Sequence, residues 1–207
     1  MKTTICTIAL SLPVLLLGAM DAMTAENKMS GDVMGQAQSL IDFSEADRSQ
    51  WYVVNDGVMG GFSESDIRKT SRQTAVFSGD LSLENNGGFA SVRATVGTRD
   101  LSAHSGLEIR VRGDGRTYQL RLRSNEGFDG IAYRSYFETR EGEWLEISLP
   151  FSEFVPTFRG RTLSDQPALD RSRIQQVAFM LADKNPGTFS LEIDYVRSDG
   201  GSDTIAP

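Results

Sequence analysis

The chain is poor in the side chains that most metal centres and nucleophilic active sites require. Its 207 residues include one cysteine, Cys6, and one histidine, His104. An internal disulfide framework and a zinc site made of several thiolates are therefore excluded, and any catalytic triad or multi-histidine metal site would depend on His104 alone. The polar stretch 101–106 around His104 predicts a loop with an ordinary, exposed histidine.

The chain also lacks an excess of positive charge. It has 21 lysines and arginines against 28 aspartates and glutamates, and its formal net charge is −7. This balance argues against a nucleic-acid partner and gives no general attraction to an anionic membrane. We therefore expect no nucleic acid among its partners.

No convincing amphipathic helix longer than three turns is present, so we expect an all-β protein.

The N-terminal residues 1–25 predict an export signal. Lys2 precedes an apolar run from Ile5 to Met20, and Ala22 and Ala25 offer cleavage points. The run is short for a membrane-spanning helix, and it lacks the arginines of a mitochondrial transit peptide. We therefore expect a cleaved signal peptide over 1–25 and a periplasmic or secreted protein, with an uncleaved anchor as the alternative. Residues 26–37 are predicted to be a polar linker and 199–207 a flexible tail.

Between residues 38 and 198 the chain alternates apolar and polar side chains in short runs separated by glycine. Candidate strands are 38–43, 51–55, 65–70, 73–78, 80–84, 88–96, 107–111, 118–122, 131–139, 144–149, 174–182 and 187–197. Short strands at this regular spacing are typical of a β-sandwich or jelly roll. The best marked turn is Gly113–Gly115, which predicts a hairpin between its two flanking strands. Short helical turns are expected near 151–154 and 167–173.

An ordered set of segments resembles the complex I intermediate-associated protein 30 family. The segments are Trp51–Gly61, Phe77–Gly79, Asn85–Ser91, Arg112–Arg116 with Tyr118, Trp144–Phe151, Phe158–Arg161, Met180–Lys184 and Phe189–Asp194. The match is colinear from about residue 41 to residue 197, and the ordered set is specific although each segment alone is weak.

The resemblance implies a fold and a class of function for residues 38–198. The fold is a galactose-binding-like jelly-roll β-sandwich, similar to carbohydrate-binding modules. Mitochondrial members look like assembly chaperones for respiratory complex I, and they offer no catalytic residues to carry over. We therefore expect a non-catalytic binding protein without a cofactor, whose partner is a protein, including subunits of a membrane complex. The alternative is a carbohydrate-binding module of the cell envelope. The predicted export signal departs from the mitochondrial members.

Basic and aromatic side chains predict a binding face on the strands that flank Gly113–Gly115, joined by residues of the candidate strands 131–139 and 144–149. Because alternate residues of a strand share a face, these side chains are expected on one side of a single sheet. The predicted set is Arg110, Arg112, Arg121, Arg123, Arg134, Tyr136 and Trp144. Such a face suits a sugar or a peptide, since aromatic rings stack and guanidinium groups grip carboxylates or hydroxyls. The alternative is a solvated face whose arginines pair with Glu108, Glu138 and Glu146.

Two loops contain residues that could form further binding sites. The segment Asn55–Gly61 is rich in glycine, but no helix start and no lysine follow it, so a tight structural loop with Asp56 as a turn cap is favoured over a phosphate site. The segment Phe158–Arg161, together with Lys184, is either a basic edge for a partner or a solvated loop.

A metal site and an enzyme are the remaining alternatives. Asp42 and Asp194 belong to the first and last strands, which the fold would bring together, but calcium needs six to eight oxygen ligands, so the metal stays open. Glu138 and Glu146 could face each other on neighbouring strands as a glycosidase pair would. No carboxylate stands out as catalytic, and we expect no enzymatic activity.

Overall fold

The alternating segments form two antiparallel β-sheets that face each other. The structure is a computed structural model that describes residues 36–44, 49–127 and 129–200, all within the unit Met34–Pro207. The predicted signal peptide, the linker up to residue 35 and the tail after residue 200 lie outside the described residues. Within the described residues, no helix has the length and the apolar character needed to cross a membrane.

The first sheet has six strands. They are β1 (Ser39–Ile41), β3 (Glu64–Lys69), β4 (Ala75–Leu81), β6 (Gly106–Arg112), β9 (Trp144–Pro150) and β13 (Gly187–Ser198). Their order across the sheet is β3-β4-β13-β6-β9, and β1 also pairs with β13. The long strand β13 therefore holds the first sheet together, because three other strands pair with it.

The second sheet has seven strands. They are β2 (Gln50–Val53), β5 (Ala90–Arg99), β7 (Thr117–Arg123), β8 (Ala132–Glu138), β10 (Val155–Phe158), β11 (Arg161–Thr162) and β12 (Ile174–Leu181). Their order is β11-β10-β8-β7-β12-β5-β2. The strands β10 and β11 were not among the sequence candidates, and Pro156 and the short length of β11 explain why their pattern is weak.

The core lies between the sheets. It is built from the apolar phase of each strand, including Leu107, Ile109 and Val111 of β6 and Leu120 and Leu122 of β7, all at most 1% exposed. Burial of each such side chain contributes roughly 1.5–3 kcal/mol. Aromatic rings fill the centre: Tyr118 stacks on Phe137, and Phe77 meets Phe189 edge to face. The all-β sandwich predicted from the alternation is confirmed.

The predicted hairpin at Gly113–Gly115 is wrong. The strand before it, β6, pairs with β13 and β9, whereas the strand after it, β7, pairs with β12 and β8. The turn therefore carries the chain from one sheet to the other, and Thr139 holds it by donating to the Arg116 carbonyl oxygen and accepting from Gly115 N. Alternation identifies the inward side chains of each strand, but it does not identify the strands that pair.

Of the predicted short turns and strand ends, the two helical turns are present but the strand break at Gly79 is not. A 3-10 turn at Phe151–Glu153 and another at Arg171–Arg173 match the predicted helical turns. The predicted break at Gly79 is wrong, because β4 runs through it from Ala75 to Leu81. Gly79 lies against the backbone of Glu64 and Ser65 on β3, so the glycine allows close approach of two strands rather than a turn.

Candidate binding groove

A groove of about 780 Å³ lies on the outer face of the second sheet, and we call it the basic groove. Its floor is made by the outward side chains of β5, β7, β8 and β12. Its lining includes Arg93, Gln119, Arg121, Arg123, Arg134, Tyr136, Gln176, Ala178 and Met180 from strands, and Val58, Met59, Leu83, Phe89, Asp129, Arg159 and Lys184 from loops. Its volume lies within the roughly 300–1,000 Å³ of ligand-binding clefts.

Three arginines form one row across the floor, which we call the arginine row (Arg93, Arg121 and Arg134). Arg134 on β8 lies directly opposite Arg121 on β7, and Arg121 lies directly opposite Ala178 on β12. Ala178 in turn lies opposite Arg93 on β5. Neighbouring strands are only about 4.8 Å apart, so the row brings like charges close together. Like charges placed directly opposite each other destabilise a sheet, which makes the row unusual.

Arg121, Arg123 and Arg134 contact neutral acceptors. Arg121 donates to Gln119 Oε1 at 3.3 Å and to Thr157 Oγ1 at 3.1 Å. Arg123 donates to the Gly130 carbonyl oxygen at 2.9 Å, and Arg134 donates to Thr162 Oγ1 at 3.1 Å. The Arg134 Nε is buried and has no hydrogen-bond partner among the described residues. Within the part of the chain that the structure describes, none of these three side chains forms an ion pair with a carboxylate.

Burial and like charge act together on these groups. Burial, followed by the charges of Arg134 and Arg93, lowers the pKa of Arg121 from its ordinary value to about 10. Burial, followed by the charges of Arg93 and Arg121, lowers the pKa of Arg123 to about 10. Both side chains still carry their proton at neutral pH. The groove therefore holds a positive charge that the fold leaves incompletely compensated, although the whole chain is acidic.

One end of the groove is bordered by exposed apolar side chains, which we call the apolar lip (Val58, Met59 and Leu83). Val53, the last residue of β2, pairs with Val92 of β5, and the preceding residue of β5 lies opposite Met180 of β12, which pairs with Gln119 of β7. The loop that follows β2 therefore lies at the end of the sheet where Met180 and Gln119 lie. An apolar border beside a basic floor gives the groove two kinds of contact surface.

Asp56 anchors the loop that carries Val58 and Met59. Its side chain is fully buried and accepts hydrogen bonds from Ser63 N at 2.9 Å, Ser63 Oγ at 2.5 Å, Gly88 N at 2.6 Å and Phe89 N at 3.2 Å. Burial alone would raise the pKa of Asp56, but the bonds from Ser63, Gly88 and Phe89 outweigh it and lower the pKa. The prediction of a tight structural loop here agrees with this geometry.

Glycines make room for that anchor. A Cβ at Gly87 would lie 2.6 Å from Asp56 Oδ2, and a Cβ at Gly61 would lie 2.5 Å from Asp56 Cγ. The two glycine-rich segments noted in the sequence, Asn55–Gly61 and Asn85–Ser91, therefore meet around a single carboxylate. Asp56 joins two loops, which goes beyond the turn cap that the sequence predicted.

Only part of the predicted binding face lies in the basic groove. Arg121, Arg123, Arg134 and Tyr136 line it. The prediction that Arg110, Arg112 and Trp144 share this face is wrong, because their strands β6 and β9 belong to the first sheet. The error follows from the wrong hairpin, since a single sheet would have placed all these residues on one side.

Arg110, Arg112 and Trp144 lie on the outer face of the first sheet, where carboxylates surround them. We call this the paired face (Arg110, Arg112, Trp144, Glu192 and Asp194). Arg110 forms an ion pair with Asp194 and Arg112 forms one with Glu192. Both guanidinium groups stack over the Trp144 ring, with centroid distances of 4.6 and 5.1 Å. This arrangement resembles the solvated, paired alternative for the predicted face.

Some groove residues were missed or only partly recognised in the sequence. Arg93 alternates with Val92 and Ala94 in β5, and the same period-two pattern that singled out Arg121 could have found it. Arg159 and Lys184, noted as a separate basic edge, line the groove as well. Arg159 forms an ion pair at 3.1 Å with Asp129, the one acidic residue of the described lining.

The expected exposed histidine is wrong. His104 is 3% exposed; its Nδ1 lies 2.7 Å from the Asp199 carbonyl oxygen and its Nε2 lies 3.3 Å from Gln38 Nε2. Residues far away along the chain bury it, and the local polar sequence could not reveal them. The histidine therefore links both ends of the described domain.

The metal and glycosidase alternatives gain no support. Asp42 accepts bonds from Ser44, and Asp194 pairs with Arg110. No group of three or more histidine, cysteine or acidic residues that could hold a metal is found among residues 36–44, 49–127 and 129–200. Glu138 and Glu146 do not lie on neighbouring strands as expected, because β8 and β9 belong to different sheets.

Comparison with known proteins places the chain in a family. The model of the family described as complex I intermediate-associated protein 30 (CIA30) matches residues 41–193. The chain belongs to the complex I intermediate-associated protein 30 family. The match runs from the end of β1 into β13 and so takes in both sheets and the groove.

Named relatives support this assignment. The mouse protein "Complex I intermediate-associated protein 30, mitochondrial" is 30% identical over 79% of this chain and 56% of its own length. The Drosophila melanogaster protein of the same name is 29% identical over 78% of this chain and 62% of its own length. The matched region of this CIA30-family chain therefore spans a little over half the length of these relatives.

Solved structures with a similar fold include carbohydrate-binding modules. A family 11 module from Clostridium thermocellum in complex with a β-1,3-1,4-mixed-linked tetrasaccharide has a TM-score of 0.59 and 18% identity, covering 80% of this chain and 96% of the module. A family 11 module of a cellulosomal cellulase from the same organism has a TM-score of 0.61 and 17% identity, covering 83% and 99%. These likenesses confirm the galactose-binding-like jelly-roll fold.

The comparisons contradict the predicted localisation. The mouse, fruit fly and Caenorhabditis relatives are named as mitochondrial proteins, which conflicts with a periplasmic or secreted protein. The predicted localisation depends on the apolar N-terminal run alone, and residues 1–25 lie outside the described residues. The export signal and the periplasmic localisation are therefore not supported.

Proposed function

We propose that this CIA30-family chain is a non-catalytic binding protein that holds an assembly intermediate of respiratory complex I through its basic groove. The observation that carries the proposal is the apolar lip beside the basic floor: Val58 is 68% exposed and Met59 is 58% exposed on a loop that Asp56 holds in place. Exposed apolar side chains that border a groove are typical of protein interaction sites. The names of the mouse and fruit fly relatives support complex I as the source of the partner.

The arrangement of aromatic rings favours a protein partner over a sugar. Tyr136, which is exposed in the groove, has the Arg134 guanidinium 4.9 Å from its ring centroid, so one face of the ring is occupied. Tyr133 is buried and donates to the Pro167 carbonyl oxygen, and Trp144 lies on the other sheet. The aromatic residues of the described lining are Tyr136 and the half-buried Phe89, so a sugar would find at most one free face of Tyr136 beside Phe89 to stack on.

Quantitative cross-linking of the tagged full chain in its native cells tests this function. The lip variant Val58→Ser with Met59→Ser is compared with Phe62→Ser, a matched control that alters a side chain 59% exposed but outside the groove lining. We expect complex I subunits to be enriched by the wild type and by the control, and about tenfold less by the lip variant. Thermal unfolding of each variant checks that the fold is intact.

Equal recovery of complex I subunits by the folded lip variant and the wild type would contradict the proposed surface. Absence of complex I subunits from the wild-type capture would contradict the proposed partner. A mixed-linked glucan oligosaccharide serves as the probe for the carbohydrate alternative, and binding of it to the purified wild type, lost in Tyr136→Ala, would replace the protein-binding function.

A further inference from the structure

We propose that the arginine row binds carboxylate side chains of an extended acidic segment of the partner protein, and that the apolar lip holds an apolar side chain of the same segment. This inference rests on the proposed function for the class of partner, and it adds the chemistry by which that partner is recognised.

The first step of the argument is the position of the charges. Register places Arg134 opposite Arg121, with the small residue Ala178 between Arg121 and Arg93. Ala178 leaves the centre of the row without a long side chain, so a ligand can reach the guanidinium groups from above. Side chains of opposite charge would stabilise these pairs better in a purely structural sheet.

The second step is the state of the donors. Arg121 contacts the amide of Gln119, the hydroxyl of Thr157 and, at 3.1 Å, the sulfur of Met180, all of them neutral. The Arg134 Nε–H is buried without an acceptor among the described residues. A buried donor without a partner costs free energy, and an incoming carboxylate would satisfy it. The lowered pKa of Arg121, which burial and then its neighbours cause, agrees with a site that an anion completes.

The third step is the choice among anions. Six lining residues are arginine or lysine and one, Asp129, is acidic. The whole chain has a net charge of −7, so a nucleic acid that extended beyond the groove would meet an acidic surface, which opposes binding along its backbone. A free phosphate ion would need the arginines but not the apolar lip. The lip lies beyond Met180, which is two residues, or roughly 7 Å, along β12 from Ala178, a spacing that one extended segment can span.

Direct binding to the purified full chain tests the inference. The probe is a synthetic peptide with two leucines followed by four glutamates, and its counterpart carries glutamines in place of the glutamates. Fluorescence anisotropy is expected to give at least about tenfold tighter binding for the glutamate peptide, with an affinity that falls as salt is raised.

Variants locate the site. Arg121→Gln with Arg134→Gln is expected to weaken the glutamate peptide about tenfold or more, as is Ala178→Leu, which fills the floor without changing charge. Arg68→Gln with Arg140→Gln removes the same charge from exposed positions, where the side chains are 83% and 73% exposed, and is expected to leave binding unchanged. Circular dichroism and thermal unfolding confirm that each variant is folded.

Several results would overturn the inference. These are equal binding of the two peptides, unchanged binding in the folded Arg121/Arg134 variant, or loss of binding in the Arg68/Arg140 control. Tight binding of inorganic phosphate, or of vesicles of phosphatidylglycerol, without binding of the glutamate peptide would assign the row to a phosphate group instead.

The same variants separate this inference from the proposed function. If the glutamate peptide does not bind the wild type, and the Arg121/Arg134 variant still captures complex I subunits, then recognition of an acidic segment is wrong while the assembly function stands. If the glutamate peptide binds but no complex I subunits are captured, the acidic chemistry stands while the proposed partner is wrong.

Discussion

Arginines occupy the outer faces of both sheets, but they differ in what surrounds them. On the paired face, Arg110 and Arg112 form ion pairs with Asp194 and Glu192 and stack over Trp144. In the basic groove, Arg121 and Arg134 lie opposite each other and contact neutral groups. A paired arginine stabilises the fold that holds it, whereas an arginine beside another arginine adds a charge that a ligand can use.

The largest effect is expected at Asp56, the buried carboxylate that anchors the loop of the apolar lip. In Asp56→Asn the amide nitrogen would face the N–H groups of Ser63, Gly88 or Phe89, so a buried donor would meet donors. We expect the free energy of unfolding to fall by about 3 kcal/mol, measured by urea denaturation.

The exposed Asp66 gives the control for Asp56. It pairs with Arg68 at the surface, and Asp66→Asn should leave the urea midpoint unchanged. A stable Asp56→Asn variant that also keeps full peptide binding would mean that the carboxylate does not hold the lip.

The second effect concerns the paired face. Arg112→Met leaves Glu192, whose side chain is 7% exposed, without its main cationic partner. We expect a loss of about 2 kcal/mol in the free energy of unfolding, because a buried carboxylate without its partner costs more than the pair contributes. Arg68→Met is the control, since Arg68 is highly exposed. An equally small change in both variants would remove the distinction between paired and unpaired arginines.

The third effect is a dependence on pH that the paired face imposes. Burial would raise the pKa of Glu192, but hydrogen bonds from Thr74 and Arg112 outweigh it and lower the pKa. The unfolded chain therefore binds the proton more tightly, so the stability from Glu192 is present above the unfolded pKa and is lost as pH falls through the folded pKa. We expect the advantage of the wild type over Glu192→Gln, about 1–2 kcal/mol at neutral pH, to shrink between about pH 5 and pH 3.

Urea denaturation across this pH range measures that advantage. The exposed Glu143 provides the control, because Glu143→Gln should follow the wild-type curve at every pH. A constant difference between wild type and Glu192→Gln from neutral to acidic pH would show that ionisation of Glu192 does not stabilise the fold.

The smallest effect is expected in the groove. Arg121→Met removes a buried charge from between two others and keeps much of the side-chain volume. We expect the free energy of unfolding to fall by no more than about 0.5 kcal/mol, or to rise, because relief of like-charge repulsion offsets the lost bonds to Gln119 and Thr157. A loss as large as that of Arg112→Met, measured by the same urea titration, would make Arg121 a structural residue.

The sequence predicted the class of fold because each strand carries its own alternation, as in Leu107, Ile109 and Val111. It predicted Arg121, Arg123, Arg134 and Tyr136 as members of a face for the same reason. It could not separate Arg112 from Arg121, because their sheets are decided by pairing with β13 and β12 far along the chain. The prediction of an exposed His104 is wrong for the same reason, since the residues that contact its ring lie at positions 38 and 198–199.

The anchoring of the apolar lip by Asp56 separates two kinds of position in one loop. Asp56, Gly61 and Gly87 are confined by their mutual contacts, so few other residues fit there. Val58 and Met59 project into solvent from the same turn and have little part in the fold. Substitutions at 58 and 59 are therefore expected to leave stability unchanged. Under the proposed function, the loop offers a small set of positions at which new binding specificities could be selected on an unchanged scaffold.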